Sequence, residues 1–427
     1  MIRGLISGLG MSPLQLRVIA LCIAINMLDG FDILAMAYAA PAIAGEWRLD
    51  PERLGLLFSL GLGGMMAGSI LLAPLADRFG RRPLILACLI AATASMFAAS
   101  FAASLPSLGA ARVLTGLAIG GMLPCINTMV AEFAPSEKRA LAVSVMQAGF
   151  AVGASLGGFL AVWLLATFGW PAVFATGAIL SLILIPLVWA GMPESLAYLA
   201  TRPDRAEERV LLLGKLTGMV DTASPVTQGD SDGFGVWTAL AQVKVPLALV
   251  SLTFFASVMS FYFLTSWVPK LLNDSGLSEG QAVTGGALLT AGGIIAAFAL
   301  GWLSLKRSIV PIVVCAAAVA AFLTAGFGQL PPNAAYLLPA AFLLGLATNA
   351  TQIGIYAVIP GLFPARIRAS ATGLAIGLGR IGSIVGPWLA GVLLASGWTA
   401  GGLFALMAVP YAIAIFLLLG VQRWQLH

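Results

Sequence analysis

The sequence predicts an all-α integral membrane protein with twelve transmembrane helices in two pseudo-symmetric halves of six. Three observations predict it. Apolar residues make up 60% of the 427 positions and charged residues only 9%, far less charge than a soluble domain carries. The apolar residues fall in runs of about 20 or more, the length of helix that crosses hydrocarbon. The chain also repeats. At a shift of 229 residues Gly116, Leu117 and Ala118 meet Gly345, Leu346 and Ala347, Pro135 meets Pro364, and Arg139 meets Arg368. At the same shift Gly153 meets Gly382 and Gly157 meets Gly386.

The expected spans are 16–44, 53–76, 83–104, 107–132, 139–167 and 170–191, then 244–272, 280–304, 309–329, 333–362, 367–396 and 400–422. The organisation follows: an N-terminal half over 1–191, a linker over 192–243 and a C-terminal half over 244–427. Within the linker, "PDRAEERVLLLGKL" (203–216) mixes charges with an apolar stripe, the pattern of a helix lying on a membrane surface. "DTASPVTQGDSDGFG" (221–235) has the composition of a flexible connection. Glycines four residues apart, 149, 153 and 157 in one half and 382 and 386 in the other, permit close helix packing.

Orientation comes from the basic residues. With the N-terminus inside, most Lys and Arg near span ends, among them Arg78, Arg81, Arg82, Lys138, Arg202 and Arg205, face the cytoplasm, while Arg48, Arg53 and Lys270 face outward. Both termini and the linker are then cytoplasmic. The net charge of +5 is this asymmetry and gives no reason to expect nucleic acid as a partner. Cys22, Cys88, Cys125 and Cys315 all lie in apolar runs without metal or disulfide spacing. The single histidine is His427. With no nucleophile–base pair and no cluster of metal ligands, neither an enzyme, a cofactor nor a metal is expected. No repeated ring of charges supports a channel.

Four charges lie well inside spans, away from their ends: Asp29, Asp32, Arg112 and Arg380. Each costs about 2.5–3.5 kcal/mol at a helix centre, so four unpaired ones would cost on the order of 10–14 kcal/mol, as much as a domain's net stability. They are therefore expected to pair or to face water. Asp29 and Asp32 share one face of the first span. Depth brings Arg112, in the outer third of the fourth span, within reach of Asp32. Arg380, near the middle of the eleventh span, is the cation best placed to meet an anion, and a guanidinium binds a carboxylate bidentately. The tenth span adds a polar stripe of Asn349, Gln352 and Tyr356, and the fifth adds Gln147. The aromatic seventh span offers Tyr262 and Trp267, each with a donor, and the first span offers Phe31. Two related six-helix halves with polar groups of this kind are the pattern of a carrier whose site lies near the bilayer midplane.

These segments resemble a known family. "APLADRFGRRP" (73–83) is similar to the loop signature between helices 2 and 3 of the major facilitator superfamily, "ARVLTGLAIGG" to its helix-4 pattern, and "MPES" to the end of its helix 6. More narrowly, "DGFD", "SWVP" and "FPARIRASATGLAIGLGRIGSIVGP" resemble the aromatic acid:proton symporters. The resemblance implies the major facilitator fold, a coupling role for Asp29, Asp32 and Arg112, and a gating loop of Asp77, Arg78, Gly80, Arg81 and Arg82. It implies a proton-coupled symporter that brings a small aromatic carboxylate, benzoate- or hydroxybenzoate-like, across a bacterial inner membrane by alternating access. Its partners would be the organic acid, protons and lipid, and its expected state a monomer. Transport of another organic acid such as a dicarboxylate, or proton-driven export, stays open. The chain departs from the family pattern at Ala73, where glycine is usual, and at Leu305, where an aspartate would complete the second copy of the loop. "GFAVGASLGG" resembles an antiporter motif, but Ala154 replaces its proline.

Overall fold

In a computed structural model, residues 11–72, 74–135, 138–200, 202–217, 243–304, 308–363 and 368–425 are described. Among them every regular element is a helix, and twelve spans are long and apolar enough to cross a membrane. These are α1 Pro13–Trp47, α2 Pro51–Leu71, α3 Arg81–Ser100, α4 Leu105–Phe133, α5 Arg139–Phe168 and α6 Trp170–Gly191. They continue with α7 Lys244–Asp274, α8 Glu279–Ser304, α9 Ile309–Phe327 and α10 Ala334–Val358. The eleventh span is two segments, α11 Arg368–Gly379 and α12 Ile381–Ala395, and the last is α13 Ala400–Gln425.

The helix starts have local causes. Ser12 and Gln15 form a reciprocal cap at α1, each main-chain N–H donating to the other's side chain, at 2.8 and 3.3 Å. Ser278 and Gln281 repeat the device at α8, at 3.2 and 3.3 Å. Asp50 accepts from the Arg53 amide at 2.8 Å just before Pro51, and Asn333 from the Ala335 amide at 2.9 Å. In the linker a 3₁₀ turn, Pro203–Arg205, leads into a helix, Ala206–Thr217, that buries Leu212, Leu213 and Leu216. This is the apolar stripe expected over 203–216. The expected flexible stretch at 221–235 lies outside the described residues, as do Ala73, Leu305 and residues 364–367.

Contacts group the chain into two units. One comprises Met1–Asp32, Gly63–Gly153 and Phe174–Ser231; the other comprises Ile33–Leu62, Ala154–Val173 and Asp232–His427. Within the first, α2 and α4 meet backbone to backbone. A Cβ at Gly64, Gly68 or Gly120 would overlap the carbonyl oxygen of Val113, Leu117 or Met65 respectively. In the same unit a Cβ at Gly153 of α5 would overlap the Met27 carbonyl of α1.

The second unit uses the same contacts at the repeat-related helices. A Cβ at Gly345 of α10 would overlap the Leu289 carbonyl of α8, and one at Gly292 would lie 2.5 Å from the Phe342 carbonyl. On α12, Cβ atoms at Gly382 and Gly386 would overlap the Phe255 and Met259 carbonyls of α7. The glycine spacing read from the sequence thus serves close approach in both units. Lipid tails are as apolar as leucine, so such van der Waals fit holds membrane helices together. Around these crossings Val250, Phe254, Val313, Ile355, Phe363 and Leu418 form part of one core.

Gly345→Val should therefore force α8 and α10 apart and cost about 1–3 kcal/mol, the usual range for overpacking. Gly373→Ala meets nothing within 4 Å and should gain about 0.4–1 kcal/mol by restricting the unfolded chain. Thermal unfolding of the purified protein in detergent measures both, and the two substitutions should move the midpoint in opposite directions.

Candidate functional site

The first unit holds a buried ion pair. Asp32 is 1% exposed and Arg112 4%. Arg112 Nη1 donates to Asp32 Oδ1 at 2.7 Å, and its Nη2 donates to the Asp32 carbonyl at 3.2 Å. One guanidinium thus holds both the side chain and the main chain of α1 at this point. Its Cζ lies 6.0 Å from the centre of the Phe174 ring. The pairing of first and fourth spans expected from depth is present. Asp29, one turn earlier, is also buried.

Other groups of this unit are arranged around α1. Asn26 donates from Nδ2 to the Met146 carbonyl of α5 at 2.7 Å. Gln147, the next residue on α5, is exposed. Phe31 is buried, and a Cβ at Gly177 would lie 2.9 Å from its Cε1, so its ring fills the space beside α6.

The second unit carries the other polar groups. Asn349 Nδ2 donates to the Gly345 carbonyl of its own helix at 2.8 Å, and its side chain covers Gly293 of α8. Gln352 is 7% exposed and Tyr356 38%. The Tyr356 ring meets Phe254 of α7 edge-on, centroids 4.9 Å apart. Phe254 in turn packs on Gly379, the residue before Arg380. Arg380 is half-buried at the break between α11 and α12. Its N–H donates to the Ile376 carbonyl at 2.9 Å, and its own carbonyl accepts both the amide and the hydroxyl of Ser383, at 2.9 and 2.6 Å. Ser383 sits three residues on, so the helix tightens locally to a 3₁₀-type bond at Arg380, whose own φ and ψ, −61° and −19°, stay helical.

Trp267 is buried in the same unit. Its indole N–H donates to the Pro387 carbonyl at 3.0 Å, and its ring meets Phe58 edge-on at 5.4 Å. Nearby contacts extend this packed set: Ser59 donates to the Ile384 carbonyl at 2.8 Å, and a Cβ at Gly55 would lie 2.8 Å from the Pro387 carbonyl. In the same unit Tyr38 donates to the Ala154 carbonyl at 2.9 Å, and Ser155 and Thr290 hydroxyls lie 3.0 Å apart. Tyr262 is half-buried, with its ring 5.5 Å from that of Phe261.

The loop between α2 and α3 forms a network within the first unit. Gly80 has φ +104°, and a Cβ there would overlap Glu194, so glycine is required on both counts. Glu194 Oε1 accepts from the amides of Arg81, Arg82 and Ser195 at 3.0, 3.2 and 2.8 Å. A carboxylate is thereby seated at the N-terminus of α3, where the helix dipole favours negative charge. Arg81 Nη1 donates to Ser195 Oγ at 2.6 Å and lies 3.5 Å from Glu132 Oε1; Ser195 donates to Glu132 Oε2 at 2.5 Å. The Arg78 carbonyl accepts from Tyr198 at 3.3 Å and from Arg202 at 2.7 Å. Asp77 belongs to a short helix, Leu75–Phe79, and its side chain lies outside the described residues.

Sequence reasoning missed Glu132, Tyr198 and Arg202 in this network, and read Glu194 and Ser195 only as part of a motif. One signal was available: Glu132 is the sole charge besides Arg112 in α4 and sits at the end nearer the basic loop. Among the described residues no three His, Cys, Asp or Glu side chains gather as a metal site.

Comparison with known proteins places this geometry. The description "Major Facilitator Superfamily" matches residues 19–339. The "Gallate transporter" of Pseudomonas putida is 31% identical over 95% of this chain and 91% of its own. The "4-hydroxybenzoate transporter PcaK" of Pseudomonas aeruginosa is 31% identical over 97% of this chain and 94% of its own. A solved structure of the xylose transporter XylE from E. coli, in a partially occluded inward open conformation, covers 95% of this chain and 97% of its own. Its TM-score is 0.74 at 15% identity, a likeness of fold.

Arg112→Leu should leave Asp32 buried without its cation and lower stability by about 3–5 kcal/mol. Adding Asp32→Leu should recover a large part of that loss, giving a coupling energy in a double-mutant cycle. Unfolding midpoints of the four proteins in detergent check it.

Proposed function

Because this chain belongs to the Major Facilitator Superfamily, a multi-pass family of membrane transporters, we propose that it imports a small aromatic carboxylate together with a proton. Relatives that span nearly the whole chain carry the names of aromatic acid transporters, for gallate, 4-hydroxybenzoate and, at 26% identity, benzoate. The observation that carries the coupling is the buried Asp32–Arg112 pair beside Asp29. The membrane is a bacterial inner membrane, and both termini are cytoplasmic.

Asp32 exchanges Arg112 for a proton during the cycle. A protonated carboxyl no longer needs the guanidinium, and burying it costs far less than burying the charge. Asp29, on the same face one turn away, relays the proton. The substrate carboxylate pairs with the fork of Arg380, whose planar donors match two carboxylate oxygens. Rings of Tyr356 and Tyr262 cover the aromatic body, with Asn349 and Gln352 of the same unit completing the binding set there; Gln147 and Phe31 are the candidates of the first unit. Residues 1–191 and 244–427 act as the two alternating halves, joined by 192–243, and the chain works as a monomer.

With the termini inside, Trp267, Phe58, Ser59 and Pro387 lie at the periplasmic end, and we assign them the outer gate. The loop of Asp77, Arg78, Gly80, Arg81 and Arg82, with Glu132 and Glu194, is the cytoplasmic gate. Charge-assisted bonds of this kind break and re-form as units, which suits a two-position switch.

Uptake into proteoliposomes tests the reading. A pH gradient, acid outside, should drive accumulation of 4-hydroxybenzoate. Asp32→Asn should abolish that accumulation and Asp29→Asn should impair it severely; wild-type accumulation by both variants, with folding confirmed, would end the coupling proposal. Arg380→Lys keeps the charge but loses the fork, so affinity should fall at least tenfold, about 1.4 kcal/mol. Competition should rank hydroxybenzoates above saturated ring acids by about five- to 150-fold, from two ring contacts of about 0.5–1.5 kcal/mol each. A linear dicarboxylate competing best would replace the aromatic assignment with a dicarboxylate one.

A further inference from the structure

Gln352 stands apart among the polar groups of α10. It is 7% exposed, yet among the described residues neither its Oε1 nor its Nε2 has a hydrogen-bond partner. Its neighbour Asn349 bonds the backbone of its own helix at Gly345, and Thr348 and Thr351 do the same at Leu344 and Ala347. The helix therefore offers carbonyls to its polar side chains, and Gln352 leaves the offer unused. Burying an amide with both ends bare is costly. Native structures satisfy nearly all such groups, so a bare one calls for a specific cause.

The chemistry of the amide narrows that cause. A carboxylate only accepts hydrogen bonds and is matched by a guanidinium. An amide gives and takes, which matches a hydroxyl, a group that also gives and takes. The placement agrees. Gln352 precedes Tyr356 by one helical turn, so the two share a face. Tyr356 meets Phe254, and Phe254 rests on Gly379 beside Arg380. A chain of aromatic contacts thus links the neighbourhood of the cation to the helix face that bears the amide, all within one unit.

We propose that Gln352 reads a ring hydroxyl of the substrate, which makes hydroxylated aromatic acids the preferred class over unsubstituted ones. This deepens, and rests on, the aromatic-acid reading above. An apolar wall would pay no penalty for a bare ring, whereas an amide left unpaired against benzoate does.

The test measures dissociation constants of the purified full-length chain for 4-hydroxybenzoate, 3-hydroxybenzoate and benzoate, with and without Gln352→Leu. The unaltered protein should bind at least one hydroxybenzoate tighter than benzoate by about tenfold or more, and Gln352→Leu should shrink that ratio by a similar factor. The ligand-free unfolding midpoint of Gln352→Leu should equal or exceed that of the unaltered chain, since no internal bond is lost. A ratio left intact, or a ligand-free midpoint that drops, would overturn the proposal and make the amide structural. Equal binding of all three acids by the unaltered chain would overturn it while leaving the aromatic-acid reading in place. Binding of none of the three would bring down both.

Discussion

Hydrocarbon offers a polar group no partner, and that deprivation shapes this protein at every scale. It makes each span a helix, because only a helix satisfies its own backbone. It turns buried hydroxyls back onto their own helices: Thr115, Thr265, Thr324 and Thr348 all donate to a carbonyl four residues earlier. It also dictates that Asp32 and Arg112 find each other, with Arg112 reaching past the carboxylate to the Asp32 carbonyl. The polar groups that do not follow this rule are where a substrate or a proton would be met.

Side by side, the two units show one packing solution used twice. α5 rests on α1 through Gly153, and α12 rests on α7 through Gly382 and Gly386. α4 rests on α2 through Gly120, and α10 rests on α8 through Gly345. The charges break this symmetry. Arg112 corresponds to Ala341 and Arg380 to Ala151 at the shift of 229, so scaffold and chemistry are written on different positions of the same repeat.

Much of the fold was legible because membrane insertion is decided by composition over long windows. Span ends fell within a few residues: 53–76 was expected where Pro51–Leu71 stands, and 333–362 where α10 ends at Val358 before a 3₁₀ turn. The tightened turn at Arg380 was not legible, since "GLGRIGS" reads as regular helix and only the Ser383 amide and hydroxyl, both bonded to the Arg380 carbonyl, mark it. The charge pair was legible because two rare letters at matching depth have few other choices. The partner of Trp267 was not: it is the Pro387 carbonyl, and a backbone carbonyl has no letter. The same holds for Glu194, whose three bonds go to main-chain amides.

The backbone contacts at the glycine crossings also bear on how such a protein changes over evolutionary time. Where main chain lies against main chain, the join makes no demand on the side chains that project elsewhere. Residues on the remaining faces of α7, α10 and α12 can be exchanged without loosening the frame. A lineage can then retune what it carries by drifting through those faces while a handful of glycines keeps the architecture in register. Sequence divergence would accumulate fastest where cargo is recognised and slowest where nothing but hydrogen fits.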